Sequence, residues 1–175
     1  MNKKVLWITQ TAICIALLIA AQIITSSFAN TLITGSIVNL ILIISVMICG
    51  FTSGITVAIV SPVFARLLGI GPLWTLIPFI MLGNISIVAI WHFITHRNGR
   101  RKMQYILAWL LGAVTKFLVL YIGIVKFAIP VLLQLPEKKA TMVSAAFSLP
   151  QLVTALVGGT LALVILPIVK KAEVQ

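Results

Sequence analysis

One lysine lies in an otherwise apolar stretch, "AWLLGAVTKFLVLY", which runs from Ala108 to Tyr121. The apolar run around it extends from about residue 103 to about residue 125, so Lys116 lies roughly 14 Å from the nearer end of a helix. An ammonium group at that depth in a membrane is too far from the surface to reach it easily. It is therefore expected to face a cavity or a partner group, and Lys116 is the first candidate for binding chemistry.

The apolar parts of the chain contain no carboxylate that could pair with this lysine. The only acidic residues are Glu137 and Glu173, and both lie outside the apolar runs. Two interpretations stay open: the lysine is neutral and hydrogen-bonded, or a ligand supplies the anion. The same lack of intramembrane acids argues against a proton pump built on Asp or Glu relays.

Further polar residues fall at a related depth. Counted from the same membrane surface, Asn84 lies about 15 Å and Gln151 about 14 Å deep, and Asn39 lies nearer the surface. Each alone could be a hydrogen bond between helices, but together with the lysine they predict a polar pocket that opens at that surface. Trp74 and Tyr121 lie nearer the mouth, where they either belong to an interfacial aromatic belt or line the pocket.

The histidines and cysteines have simpler explanations. His92 and His96 are four residues apart, as in some metal sites, but no acidic or sulfur ligand is near them in sequence, so interfacial histidines are the preferred interpretation and no metal is predicted. Cys14 and Cys49 lie in separate apolar runs without CxxC spacing and are predicted to be buried, inert thiols.

The composition places the chain in a membrane. Of its 175 residues, 61% are hydrophobic and only 9% are charged, and the mean hydropathy is +1.21. A soluble domain of this length could not cover so much apolar surface. The net charge of +11 would suggest nucleic acid in a soluble protein. Here the cations cluster between apolar runs, which indicates membrane topology, and no nucleic-acid partner is predicted.

The apolar runs predict an all-α integral membrane protein with six transmembrane helices in one domain, residues 1–175. The predicted spans are about 5–25, 34–50, 53–69, 74–95, 103–125 and 142–169. The first run is too long for the core of a signal peptide and is interpreted as a retained span. Most Lys and Arg residues fall at the two termini and in the "HRNGRRK" loop, which predicts that all three are cytoplasmic. The outer connections are then about 26–33, 70–73 and 126–141, and the first and last could form lids.

Pro62, Pro78 and Pro150 lie inside these predicted spans. Membrane helices tolerate such prolines where neighbouring groups or water bind the carbonyls that lose their partners.

A stripe of small residues marks the first span. Ala12, Ala16 and Ala20 are spaced by four and share one helical face. Such faces allow close approach of another helix, either within the chain or from another membrane protein. The sequence contains no GxxxxGK[ST], HExxH or GxSxG motif and no paired carboxylates, so ATP binding by this chain itself is not predicted.

These features resemble the substrate-binding S component of an energy-coupling factor (ECF) vitamin transporter, over nearly the whole chain. The Ala12-xxx-Ala16-xxx-Ala20 stripe is the most specific similarity, and segments such as "GIGPLWTLIPFIMLGN" and "TKFLVLYIGI" resemble the branch with pantothenate and hydroxymethylpyrimidine carriers. The resemblance implies a substrate site near the outer face and docking of a transmembrane coupling subunit on the alanine stripe. It also implies two cytoplasmic ATPases as partners, which use the ATP, and a location in the bacterial plasma membrane.

Within that resemblance, the buried lysine favours an anionic vitamin. Pantothenate carries a carboxylate, hydroxyls and an amide, which Lys116, Asn84 and Gln151 could bind. Hydroxymethylpyrimidine and pyridoxine would leave the lysine unpaired, and niacin is anionic but smaller. Two other classes stay open: a membrane enzyme that uses His92 and His96, and a structural or assembly subunit without a ligand. No enzymatic activity is predicted.

Overall fold

The computed structural model describes residues 3–26, 31–96 and 101–172, all regular elements of which are helical. Part of the predicted first outer connection (27–30), part of the basic loop (97–100) and Glu173 lie outside the described residues. The helices are α1 (Lys3–Ser26), α2 (Thr31–Ile48), α3 (Phe51–Leu67), α4 (Ile77–Thr95), α5 (Arg101–Leu120), α6 (Glu137–Ala146) and α7 (Leu149–Ala172). A short 3-10 turn, Trp74–Leu76, precedes α4, and a π-helix, Tyr121–Leu133, continues α5.

Within the described residues, five helical segments are long and apolar enough to cross a membrane. They are Lys4–Ser26, Thr31–Ile48, Trp74–Thr95, Lys102–Leu133 and Glu137–Val169. The third predicted span, about 53–69, corresponds to Phe51–Leu67, an apolar helix of 17 residues, which is at the lower limit of length for spanning the hydrocarbon layer. The prediction of an all-α membrane protein is confirmed.

The turn between α2 and α3 depends on a glycine. Gly50 has a φ of 92°, a backbone conformation that residues with a Cβ seldom adopt. The chain therefore reverses within two residues, and α2 and α3 pack side by side. The chain thus forms two separate helices where spans of about 34–50 and 53–69 were predicted.

The predicted end of the fifth helix is wrong. This helix was expected to end at about residue 125, but it continues to Leu133, so the supposed outer loop is mostly helical. Lys126, which falls in the predicted loop, is exposed, and its Nζ lies 5.7 Å from the ring centroid of Tyr121. A lysine that binds an aromatic face at the membrane surface does not need to end a helix.

The sixth predicted helix is divided into α6 and α7. The break at residues 147–148 comes just before Pro150, which cannot donate the main-chain hydrogen bond that would join the two helices. Pro150 is therefore in the first turn of α7, and Pro78 is likewise in the first turn of α4. Pro62 lies inside α3, as predicted.

Close helix packing aligns the elements around the core. Among the described residues, α2 packs extensively against α7, and α4 packs against α5. A Cβ on Gly158 of α7 would lie only 2.7 Å from the Cβ of Asn39 on α2, so the absence of a side chain at this position allows the two helices to approach. The fully buried Leu42, Ile87 and Trp91 belong to the main core cluster between these helices.

Candidate functional site

Lys116 on α5 is the centre of a buried polar cluster. Its side chain is 3% exposed. The Nζ donates hydrogen bonds to Asn39 Oδ1 at 2.6 Å and to Asn84 Oδ1 at 2.8 Å. The cluster thus joins α2, α4 and α5, because each contributes one of the three side chains.

The two asparagines are themselves held by hydrogen bonds at their NH₂ ends. Asn39 Nδ2 donates to Thr154 Oγ1 on α7, and Asn84 Nδ2 donates to the carbonyl oxygen of Ala58 on α3, both at 3.4 Å. An ammonium group can only donate, so both amide oxygens must face Lys116. Because these bonds reach α3 and α7, five helices together determine the geometry around the lysine.

Asn39 lies deeper than the sequence suggested. It was placed nearer the surface than Asn84, yet both contact the same ammonium group. Part of the reason is that α2 begins at Thr31 rather than at about residue 34. Asn39 is therefore about 12 Å along the helix instead of roughly 7 Å.

No carboxylate among the described residues forms an ion pair with Lys116. Glu137, the acidic residue in the described part of the chain, is exposed at the beginning of α6. The partners of the lysine are neutral amide oxygens, which accept two of the three N–H donors of an ammonium group. In its charged form, a lysine buried among neutral groups has a strong electrostatic preference for an anion.

A partly open cavity of about 350 Å³ borders this cluster. Its volume is in the range of small-molecule sites. It lies where α1 ends and where α2, α4 and α7 begin, so it is at the opposite end of the bundle from Lys3 and Ala172. Ten polar residues contribute to its lining: Gln22, Thr25, Ser26, Thr31, Thr34, Asn39, Ser61, Asn84, Lys116 and Gln151.

Gln151 lines this cavity from a different position in the helix than was predicted. It was placed about 14 Å deep in a continuous helix, but it lies in the first turn of α7. Its Nε2 donates to the carbonyl oxygen of Ala146 at 3.2 Å. Lys116, Asn39, Asn84 and Gln151 therefore share one cavity, although Gln151 does not bind the lysine directly among the hydrogen bonds of the described residues.

Trp74 and Tyr121 do not line this cavity. Trp74 is 51% exposed, and the Arg66 guanidinium carbon lies 5.9 Å from its ring centroid. Tyr121 stacks on Phe117 and faces Lys126 on its other side. These contacts are typical of aromatic residues at a membrane surface.

The alanine stripe and the histidine pair lie away from the cavity. Ala12, Ala16 and Ala20 are exposed on α1. The rings of His92 and His96 have centroids 4.2 Å apart, and the described residues contain no group of three or more His, Cys, Asp or Glu side chains that could hold a metal ion.

Sequence reasoning missed the hydroxyl-rich side of the cavity. Thr25, Ser26, Thr31 and Thr34 lie at the end of α1 and the beginning of α2, and in the sequence they resemble ordinary polar loop residues. Gln22 was also missed, although a glutamine in a predicted span is a signal comparable to Asn84. Its Oε1 is buried and has no hydrogen-bond partner among the described residues.

Comparison with known proteins identifies one family. The model of the ECF transporter substrate-specific component family matches residues 10–170. Comparisons with curated proteins and with solved structures gave no match.

Proposed function

Since this chain belongs to the family of ECF transporter substrate-specific components, we propose that its cavity binds pantothenate for import. Members of this family are transport subunits rather than enzymes. Family membership and the long apolar helices make this a multi-pass protein of the bacterial plasma membrane. It has a small-molecule substrate and works in a membrane complex with a coupling subunit and ATPases.

The position of Lys116 carries the proposal about the substrate. Its ammonium group borders the cavity, its side chain is 3% exposed, and its hydrogen-bond acceptors among the described residues are neutral oxygens. A ligand carboxylate supplies the missing negative charge and accepts the remaining N–H. Pantothenate is anionic, whereas hydroxymethylpyrimidine and pyridoxine bring no carboxylate.

Gln22 supports pantothenate over niacin. Its buried Oε1 lacks a donor, and a ligand hydroxyl or amide N–H would relieve the cost of that unpaired acceptor. Pantothenate carries both kinds of donor, and niacin carries neither. The threonine and serine side chains that line the same cavity add further partners for hydroxyl groups.

The proposed orientation places the cavity at the outer membrane surface and the termini in the cytoplasm. The basic residues near the described ends of the chain favour this orientation, and the cavity is at the other end of the bundle. The coupling subunit then docks on α1, where Ala12, Ala16 and Ala20 leave a shallow exposed face. ATP is used by the partner ATPases.

Mass spectrometry of the purified protein tests this function directly. We expect pantothenate to be released from the wild-type protein on denaturation. We also expect that Lys116→Ala abolishes high-affinity pantothenate uptake while the protein still inserts into the membrane.

Lys126→Ala is the matched control, because Lys126 is an exposed lysine on the helical continuation of α5 and does not line the cavity. This variant should transport normally. Recovery of another vitamin, or unchanged pantothenate affinity in Lys116→Ala, would refute the substrate assignment. A protein that carries and binds no vitamin would instead support a structural subunit.

A further inference from the structure

Pro62 removes one main-chain hydrogen bond from α3. In an α-helix the N–H of residue 62 would bind the carbonyl of residue 58, but proline has no N–H. The Ala58 carbonyl oxygen instead accepts the hydrogen bond from Asn84 Nδ2. Ala58 is fully buried, so a side chain of another helix takes the place that water would take at a surface.

This bond acts together with Lys116 to hold the Asn84 amide in one orientation. An amide side chain has a donor end and an acceptor end, which exchange places when the group turns over. The Ala58 carbonyl binds the donor end. The acceptor end, Oδ1, is then directed toward Lys116, whose Nζ is 2.8 Å away.

The same arrangement occurs a second time at the cavity. Pro150 lies four residues after Ala146, the last residue of α6, and has no N–H with which to bind the Ala146 carbonyl across the break between α6 and α7. That carbonyl accepts the hydrogen bond from Gln151 Nε2 at 3.2 Å. Both Asn84 and Gln151 line the cavity, so each of two cavity amides has its NH₂ end bound to a carbonyl four residues before a proline.

We propose that Pro62 and Pro150 are positioning residues of the binding site. Each leaves a main-chain carbonyl without a helical N–H, and that carbonyl binds the NH₂ end of a cavity amide. The amide oxygen then lies at the other end, where Asn84 Oδ1 accepts from Lys116 and the Gln151 oxygen is left for a ligand. The cavity therefore offers one ammonium group together with amide oxygens. Its ligand combines an anionic group with hydroxyl or N–H donors, which extends the proposed function and depends on the cavity being the ligand site.

Restoring the missing N–H tests the role of Pro62. In Pro62→Ala, the new N–H competes with Asn84 Nδ2 for the Ala58 carbonyl, and the amide loses one of the two hydrogen bonds that hold its orientation. We expect the affinity for pantothenate, measured by calorimetry on the purified protein, to fall about tenfold. The fold should be retained, because alanine is a better helix former than proline.

Lactic acid incorporated at position 62 is the decisive comparison. It has the methyl side chain of alanine but an ester oxygen in place of the N–H, so it again leaves the Ala58 carbonyl unoccupied. We expect it to restore the affinity to within about twofold of wild type. Pro167→Ala is the control, because Pro167 lies inside α7 and does not line the cavity, and it should bind normally.

The outcomes separate the two proposals. If the lactic acid variant binds as weakly as Pro62→Ala, the proline ring rather than the missing N–H matters, and the proposed positioning role is wrong. Wild-type affinity in Pro62→Ala, with binding lost in Lys116→Ala, overturns the positioning role and leaves the proposed function intact. Wild-type affinity in Lys116→Ala contradicts the proposed function itself. If Pro62→Ala does not fold, Pro150→Ala is measured instead, because its new N–H can compete with Gln151 Nε2 for the Ala146 carbonyl.

Discussion

If Lys116 pairs with a ligand carboxylate, the losses of binding free energy caused by substituting the lysine and by replacing the carboxylate are not additive. The protein change is Lys116→Met, which retains most of the side-chain length and removes the charge. The ligand change replaces the carboxylate of pantothenate with a CH₂OH group. If the two groups form an ion pair, removing either one removes the same interaction, and removing the second has little further effect.

The size of the effect follows from burial. Lys116 is 3% exposed and its two acceptors, Asn39 and Asn84, are 1% and 2% exposed, so a carboxylate bound to the lysine is largely desolvated. Truncating one member of a buried, hydrogen-bonded charge pair costs about 2–5 kcal/mol. Pantothenate should therefore bind Lys116→Met about 30-fold to 4,000-fold more weakly than wild type.

The alcohol analogue gives the contrasting result. The affinity for this analogue should differ by less than about threefold between wild type and Lys116→Met, because the analogue has no carboxylate that could pair with the lysine. Titration calorimetry of the purified protein with both ligands measures all four affinities, and thermal melting of each variant checks that it is folded. If Lys116→Met weakens both ligands by the same factor, the lysine shapes the cavity without pairing with the carboxylate, and the argument for an anionic substrate fails.

Two further predictions concern surfaces outside the cavity. The Sγ atoms of Cys14 and Cys49 are 3.7 Å apart. Mild oxidation with copper phenanthroline should therefore form a disulfide that links α1 to the end of α2 within one molecule. This product should be absent from Cys49→Ser, and a purely intermolecular product would contradict the packing of the two helices. Ala16→Trp should weaken co-purification with the coupling subunit about 30-fold or more by blocking the stripe on α1, without changing vitamin binding by the isolated chain. Val164→Trp, at an exposed position on α7, should co-purify normally, and loss of ligand binding in Ala16→Trp would count against a docking role.

The sequence by itself was sufficient for the class of protein and for selecting the lysine at the centre of the buried polar cluster. Apolar runs about 20 residues long predict helices because hydrocarbon provides no partners for main-chain polar groups. Lys116 could be selected for the related reason that a charge in such a run needs a partner, and the acidic residues of the chain lie outside the apolar runs. These inferences depend on composition along one helix and need no knowledge of its neighbours.

The boundaries of the helices and the depths of the polar residues along them were less predictable from the sequence. The continuation of α5 to Leu133 and the break before α7 depend on local hydrogen bonding, which hydropathy does not record. The error in the start of α2 was three residues, and it placed Asn39 roughly 4.5 Å too close to the surface. An error in the predicted end of a helix therefore changes every depth that is counted from that end.

Only the tertiary structure decided which polar residues meet and how they are turned. The contact of Lys116 with both Asn39 and Asn84, the link to Thr154, and the position of Gln22 in the same cavity arise from the packing of different helices. A proline in a sequence indicates that a carbonyl has lost its helical partner, but not which side chain replaces it. That choice depends on which helix lies against the freed carbonyl, and for Ala58 it is α4, which brings Asn84.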